Sequence, residues 1–360
     1  MKTPPGQIAI DRAHGGCASE GCIDFSTSLN PLGPPAEAIQ AYHEAAACIS
    51  KYPPAYPRRL EARIAAWLGA DPETVIAANG STQLIYLAAR VLGLKSPFVV
   101  IPTFSEIANA LVAAGSHPSP ISTKPEDDFR FEHGALRDAL ETGADGVFLG
   151  RPNSPTGTLI GLDETTAVVR ECDRRGAWCV VDEAFIEFAD NPRSACTLLG
   201  SFKRLIVLRS LTKVFAIPGL RLGYLLGSPD FVSKLCERIE PWSVNAIAEY
   251  VALACLDVAD RFIPATRHTM AEERRRLERG LGSLRGLKVF PSSANFMMLA
   301  VRSEQSCGEF GRYTLNGGIA IRDLSGLPGC SPGLYRIGVR SRTDNQRLLA
   351  ATGAYFGSRS

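Results

Sequence analysis

Lys213 closes the segment Ser210-Leu211-Thr212-Lys213, directly behind the apolar run Leu205 to Leu208. An amine held just beyond a buried strand is partly withdrawn from water, which lowers its pKa and leaves it able to condense with an aldehyde as a Schiff base. Asp182 ends a second apolar run, Trp178-Cys179-Val180-Val181, and could keep a ring nitrogen protonated. Ser81 and Thr82 follow Asn79-Gly80 at a helix start, and with Ser210 and the Arg221 guanidinium they offer amide, hydroxyl and planar cationic donors to an anion. Each has a plain structural reading when taken singly: exposed lysine, loop carboxylate, helix cap, surface arginine.

A lysine for an aldehyde, a carboxylate for a pyridine nitrogen and donors for a phosphate are together what pyridoxal 5'-phosphate requires. The elements that must bring them together are legible in the hydrophobic pattern. Leu60, Ile64, Trp67 and Leu68 fall on one helical face, and a helix is predicted from Ser81 to Val91. Short apolar runs then alternate with amphipathic ones: Phe98 to Ile101, Val147 to Leu149, Trp178 to Val181, Leu205 to Leu208 and Leu222 to Leu226. That rhythm predicts an α/β domain with a mixed, mainly parallel sheet covered on its faces. Asn153-Ser154-Pro155-Thr156-Gly157, Asp182 and Lys213 all follow the carboxyl ends of such runs, where open α/β sheets place their ligands.

The chain divides by pattern into an extended arm over 1–35, a large domain over 36–245 and a smaller α+β domain over 246–360. The last holds a charged helix around Glu272 to Arg276 and strand-like runs at Leu287 to Phe290, Asn295 to Val301 and Tyr335 to Val339. Across 360 residues, 39 Lys and Arg balance 37 Asp and Glu, so bulk charge offers nothing to nucleic acid or a membrane surface. The N-terminal segment carries neither a signal-peptide nor a membrane-span pattern, and a cytoplasmic protein is expected. Ten scattered cysteines without paired metal-ligand spacing are expected to be reduced and structural, with no metal site.

The stretch from Ser210 through Ala216-Ile217-Pro218-Gly219-Leu220-Arg221 to Tyr224 closely resembles the lysine segment of aspartate-aminotransferase-fold enzymes. The resemblance spans almost the whole chain and implies the fold type I architecture of pyridoxal-phosphate-dependent transferases. Within that fold, His14-Gly15-Gly16 and Asp24-Phe25-Ser26 through Asn30-Pro31-Leu32-Gly33 look like the opening of L-threonine-O-3-phosphate decarboxylases of cobalamin synthesis, relatives of histidinol-phosphate aminotransferases. Phe185, in Asp182-Glu183-Ala184-Phe185-Ile186, favours the decarboxylase branch, because the aminotransferases usually carry Tyr there.

The resemblance implies a cofactor site of Lys213, Asp182, Ser81, Thr82, Asn153, Ser154, Ser210, Thr212 and Arg221. It places His14, Asn30, Arg322 and Arg336 on the phosphate and carboxylate of a phosphorylated amino acid, and Tyr52 on the cofactor phosphate of a neighbouring subunit in a homodimer. Three positions depart from the pattern. Ser154 stands where Asn usually precedes Pro-Thr-Gly, Phe185 removes a phenol, and Ile107 replaces an aromatic expected to stack on the ring, a role Phe104 is placed to take. The expected reaction is loss of the α-carboxylate from L-threonine O-3-phosphate, with Lys213 returning a proton to the α-carbon. Alternatives are a histidinol-phosphate-type aminotransferase, an enzyme of another phospho- or phosphono-amino acid, or a silent binding protein of the same fold.

Overall fold

A computed structural model describes residues 8, 15–16, 21–302 and 308–357. The central sheet has seven strands in the order Val75–Ala78, Gly223–Leu226, Leu205–Ser210, Trp178–Asp182, Gly146–Gly150, Pro97–Ile101, Ser119–Ser122. Gly223–Leu226 runs antiparallel to both of its neighbours and the other pairings are parallel. The mixed, mainly parallel α/β sheet expected from the apolar runs is therefore present.

Two-residue periodicity explains why these runs are apolar throughout. On Leu205–Ser210, Leu205 and Val207 pack with Leu136, Val168 and Val169, whereas Ile206 and Leu208 pack with Leu84, Ile85 and Leu235 on the opposite face. Helices cover both faces, so alternate residues are buried either way, each contributing about 1.5–3 kcal/mol. The helix Gly80–Leu92 enters through Gly80 at φ 82° and stops at Gly93 at φ 57°, left-handed conformations that cost glycine least.

A second, antiparallel sheet has the order Arg322–Asp323, Leu334–Gly338, Phe296–Val301, Leu287–Val289. The arm meets it beside a separate two-stranded pairing: Ile23–Asp24 pairs in parallel with Ile319–Ala320, and the Gly338 N–H donates to the Phe25 carbonyl at 2.7 Å. Ser26 to Ser28 are thereby held across the gap between the two sheets. The helix Ala246–Asp257 packs on Ala36–Ala45 and Arg58–Leu68. Among the described residues no helix is long and apolar enough to cross a membrane, and Cys48, Cys172, Cys179, Cys196, Cys236, Cys255 and Cys330 are free thiols.

Candidate active site

The carboxyl ends of the central strands open into a cleft of about 480 Å³, lined as well by Arg322, Arg336 and the arm residues Ser26, Thr27 and Ser28. That size accommodates a cofactor with a small substrate. Lys213 sits on the single-turn helix Leu211–Val214 that follows the strand Leu205–Ser210. Burial lowers its amine pKa to about 8, reinforced by the positive charges of Arg336 and Arg221 and opposed by Asp182. Asp182, the last residue of its strand, is pushed up to about 6, chiefly by burial and further by the Glu183 charge, against a hydrogen bond from the Ala184 N–H and the charge of Lys213. A lysine that gives up its proton easily and a carboxylate that keeps one easily thus share one cleft.

The phosphate end is built by close backbone approach. Gly80, Ser81 and Thr82 line the cleft at the start of the helix Gly80–Leu92, and the Asn79 side chain makes no capping hydrogen bond to the first-turn amides. Those amides can therefore serve an anion. A Cβ on Gly223 would lie 2.2 Å from the Ser81 nitrogen, and one on Gly80 would lie 2.8 Å from Arg221 Nη2. Only glycines permit helix start, strand and guanidinium to converge this tightly. Arg221 itself adopts φ 56°, a conformation costly for a side-chain-bearing residue, and Ser210 Oγ lies 2.8 Å from Thr212 Oγ1 beside it. The cradle, the lysine and the carboxylate fit pyridoxal phosphate in donor type and in sequence along the cleft.

Arg322 and Arg336 are direct partners on neighbouring antiparallel strands, and both line the cleft. Like charges placed opposite each other repel. Burial, reinforced by Arg322 and opposed by Asp24, lowers Arg336 to about 10. Its Nη1 donates to Ser154 Oγ at 3.1 Å and its Nη2 to the Ser26 carbonyl at 2.7 Å. Its Nε has no partner among the described residues. Among the described residues this cation is hydrogen-bonded to neutral oxygens and forms no ion pair.

A model of the aminotransferase class I and II family matches residues 20–351. The chain belongs to that family. It is 34% identical over 337 residues to the threonine-phosphate decarboxylase of Salmonella typhimurium, spanning 93% of this chain and 92% of that one. It is 32% identical to the histidinol-phosphate aminotransferase of Anaeromyxobacter, spanning 93% and 91% of the two chains. The crystal structure of L-threonine-O-3-phosphate decarboxylase from Porphyromonas gingivalis superposes with a TM-score of 0.84 at 23% identity, covering 92% of this chain and 99% of that one. That last likeness is one of fold, and it agrees with the two-sheet architecture described above.

Of the residues singled out in the sequence, Lys213, Asp182, Ser81, Thr82, Ser154, Ser210, Thr212, Arg221, Arg322 and Arg336 all line the cleft. Two asparagines do not. Asn30 turns away, donating to the Val214 carbonyl at 2.7 Å and Thr266 Oγ1 at 2.9 Å, while its own N–H donates to the Lys213 carbonyl; it braces the lysine helix from behind. Asn153 is consumed inside its own turn, donating to the Pro102 carbonyl and Thr156 Oγ1 and accepting from Thr103 Oγ1. Neither lines the cleft and neither has an amide hydrogen left to give a ligand, which corrects the expectation for both. Tyr52 is 86% exposed and packs on Trp242 with ring centroids 5.4 Å apart, away from this chain's own cleft. His14 lies outside the described residues, although its neighbour Gly15 lines the cleft.

At the departures, Phe185 lines the cleft with its ring centroid 5.9 Å from Lys213 Nζ and packs edge-on against Phe296. Phe104 also lines the cleft, whereas Ile107 is buried among Leu84, Ile85 and Leu111. Ser28 was overlooked: it is 4% exposed, lines the cleft, and its Oγ has no partner among the described residues. The only signal for it was its two-residue spacing from Ser26 in an extended segment.

Proposed function

We propose that this protein is a pyridoxal-phosphate-dependent decarboxylase of a phosphorylated amino acid, with L-threonine O-3-phosphate as substrate and the corresponding aminopropanol phosphate, a cobalamin side-chain unit, as product. The observation that carries this reading is the pairing of Arg322 with Arg336 over Lys213, two cations in one cleft with Arg336 lacking a carboxylate partner among the described residues. Two such groups suit a substrate that brings both a carboxylate and a second anion. Its relationship to a threonine-phosphate decarboxylase over nine-tenths of the chain supports the same substrate.

When bound, pyridoxal phosphate supplies an aldehyde for amines and a conjugated pyridinium that accepts the electron pair left at the substrate α-carbon. Ser81, Thr82, Ser210, Thr212 and Arg221 would hold its phosphate. Asp182, with its pKa raised to about 6, would face the ring nitrogen and help keep it protonated. Arg336 takes the α-carboxylate and fixes its direction, which selects the bond that breaks. Arg322 and Ser28, together with His14, take the terminal phosphate. Lys213 with an amine pKa of about 8 exchanges protons readily near neutrality, and gives one to the α-carbon after carbon dioxide leaves.

The exposed apolar side chains Leu32, Ile39, Tyr42, Ile49, Tyr52, Trp242 and Tyr250 support a homodimer in which Tyr52 reaches the second copy's phosphate cradle. An aminotransferase would use the same lysine to move the α-proton. Incubating cofactor-loaded protein with L-threonine O-3-phosphate separates the two. Carbon dioxide release with a restored lysine-linked chromophore is expected, accumulation of pyridoxamine phosphate would establish transamination, and an unchanged spectrum without product would rule out this substrate.

A further inference from the structure

The residue after Asp182 is a carboxylate of a different kind. Glu183 is fully buried and all its acceptor capacity is taken: Oε1 accepts from Arg151 Nη1 at 2.6 Å and the Ala195 N–H at 2.8 Å, and Oε2 from Ser194 Oγ at 2.5 Å and Arg209 Nη1 at 3.4 Å. Its donors come from different elements. Arg151 directly follows the strand Gly146–Gly150, Arg209 lies in Leu205–Ser210, and Glu183 directly follows Trp178–Asp182 between them. The main chain makes the same connections, with the Arg151 N–H on the Asp182 carbonyl at 2.7 Å and the Glu183 N–H on the Leu208 carbonyl at 2.8 Å.

These three strand ends carry the chemistry: Ser154 lies beyond the first, Asp182 ends the second, and Ser210 with Lys213 ends the third. A buried ion pair is weak evidence for stability, since desolvation offsets much of the attraction. A four-donor carboxylate linking three neighbouring strand ends at the reacting groups therefore calls for another reason.

We propose that Glu183 is a positioning residue for Asp182 and Lys213, clipping the three strand ends through Arg151 and Arg209 so that carboxylate and amine keep one separation, and placing a fixed negative charge behind Asp182. The proposal rests on the reading of Asp182 and Lys213 as the cofactor's partners. The Glu183 charge adds to burial in raising the proton affinity of Asp182, while Lys213 opposes both. Around the clip, Arg209 also faces Glu187, Tyr224 and Cys196, and Arg267 donates to the Glu187 carbonyl. Lys213 faces Arg221 and Arg336 as well as Asp182.

The decisive experiment titrates the visible absorbance of the cofactor-loaded enzyme against pH in two variants. Glu183→Gln removes a negative charge, so nearby protons leave at lower pH and the midpoint moves about one unit in the acid direction. Ser194→Ala removes a neutral donor and leaves the carboxylate less neutralised, so the midpoint moves the opposite way, by less. In both, kcat falls about tenfold or less with KM little changed, as expected when positioning and not binding is disturbed. A residue that only holds the fold together would lower the unfolding temperature and leave both midpoints in place, and that result overturns the proposal. Should Glu183→Gln not fold, the alkaline shift in Ser194→Ala decides alone. Wild-type protein that takes up no chromophore would overturn both this proposal and the cofactor reading beneath it.

Discussion

Burial, Arg336 and Arg221 all push the Lys213 amine in one direction, to about 8, and Asp182 offsets only part of that push. A neutral amine is what condenses with an aldehyde, so uptake of pyridoxal phosphate by the stripped protein should accelerate with rising pH, with a midpoint near 8. Arg336→Gln removes a positive neighbour and makes the ammonium easier to hold, so the midpoint should rise; stopped-flow absorbance after mixing reads both values. The same depression has a consequence for folding. Because the unfolded chain holds this proton up to the ordinary value of 10.5, the stripped protein should gain stability as pH climbs from about 8 toward that value.

At the scale of elements, the cradle depends on a backbone contact that no side chain can replace. Alanine at Gly223 would place a methyl carbon 2.2 Å from the Ser81 nitrogen and 2.8 Å from the Gly80 carbonyl carbon, forcing the strand away from the helix start. The expected cost is about 1–3 kcal/mol of stability, with cofactor affinity weakened at least about tenfold because the amides lose their aim. Gly219→Ala is the matched control, since nothing lies within 4 Å of its added carbon. Equilibrium binding and thermal unfolding of the two variants measure the difference.

The same scale shows what could be read from sequence. Trp178–Asp182 and Leu205–Ser210 announce themselves as apolar runs because both faces of the sheet are covered. Val75–Ala78 and Ser119–Ser122 gave no such signal, one being half alanine and the other carrying Ser, Pro and Ser around a lone buried Ile121. Lys213, Asp182 and Arg221 were legible because strand ends converge by topology. Asn30 and Asn153 were misplaced because residue type says what a side chain can donate, whereas the direction it faces in a tight segment is settled by whichever carbonyl is nearest. Ser28 was missed for the converse reason: a serine in a polar segment looks ordinary until it proves to be buried in the cleft wall.

For the whole molecule, the exposed side chains Ile39, Tyr42, Ile49, Tyr52, Trp242 and Tyr250 are those proposed to meet a second copy. On the proposed pairing, the parent protein should sediment as a dimer in sedimentation velocity and Trp242→Glu as a monomer. The substitution should also loosen cofactor retention, because Tyr52 packs on Trp242 and would lose its support.

The two banks of the cleft are also separated in time. The residues of the cleft proposed to hold the cofactor within one chain lie between Gly80 and Arg221, whereas Arg322 and Arg336 stand about a hundred positions later. A ribosome adding about 5–20 residues per second leaves roughly ten seconds between the two. During translation the groups that would grip the coenzyme exist before the two arginines that would orient what it acts upon, and the early strand Ile23–Asp24 must wait for Ile319–Ala320 before it can pair.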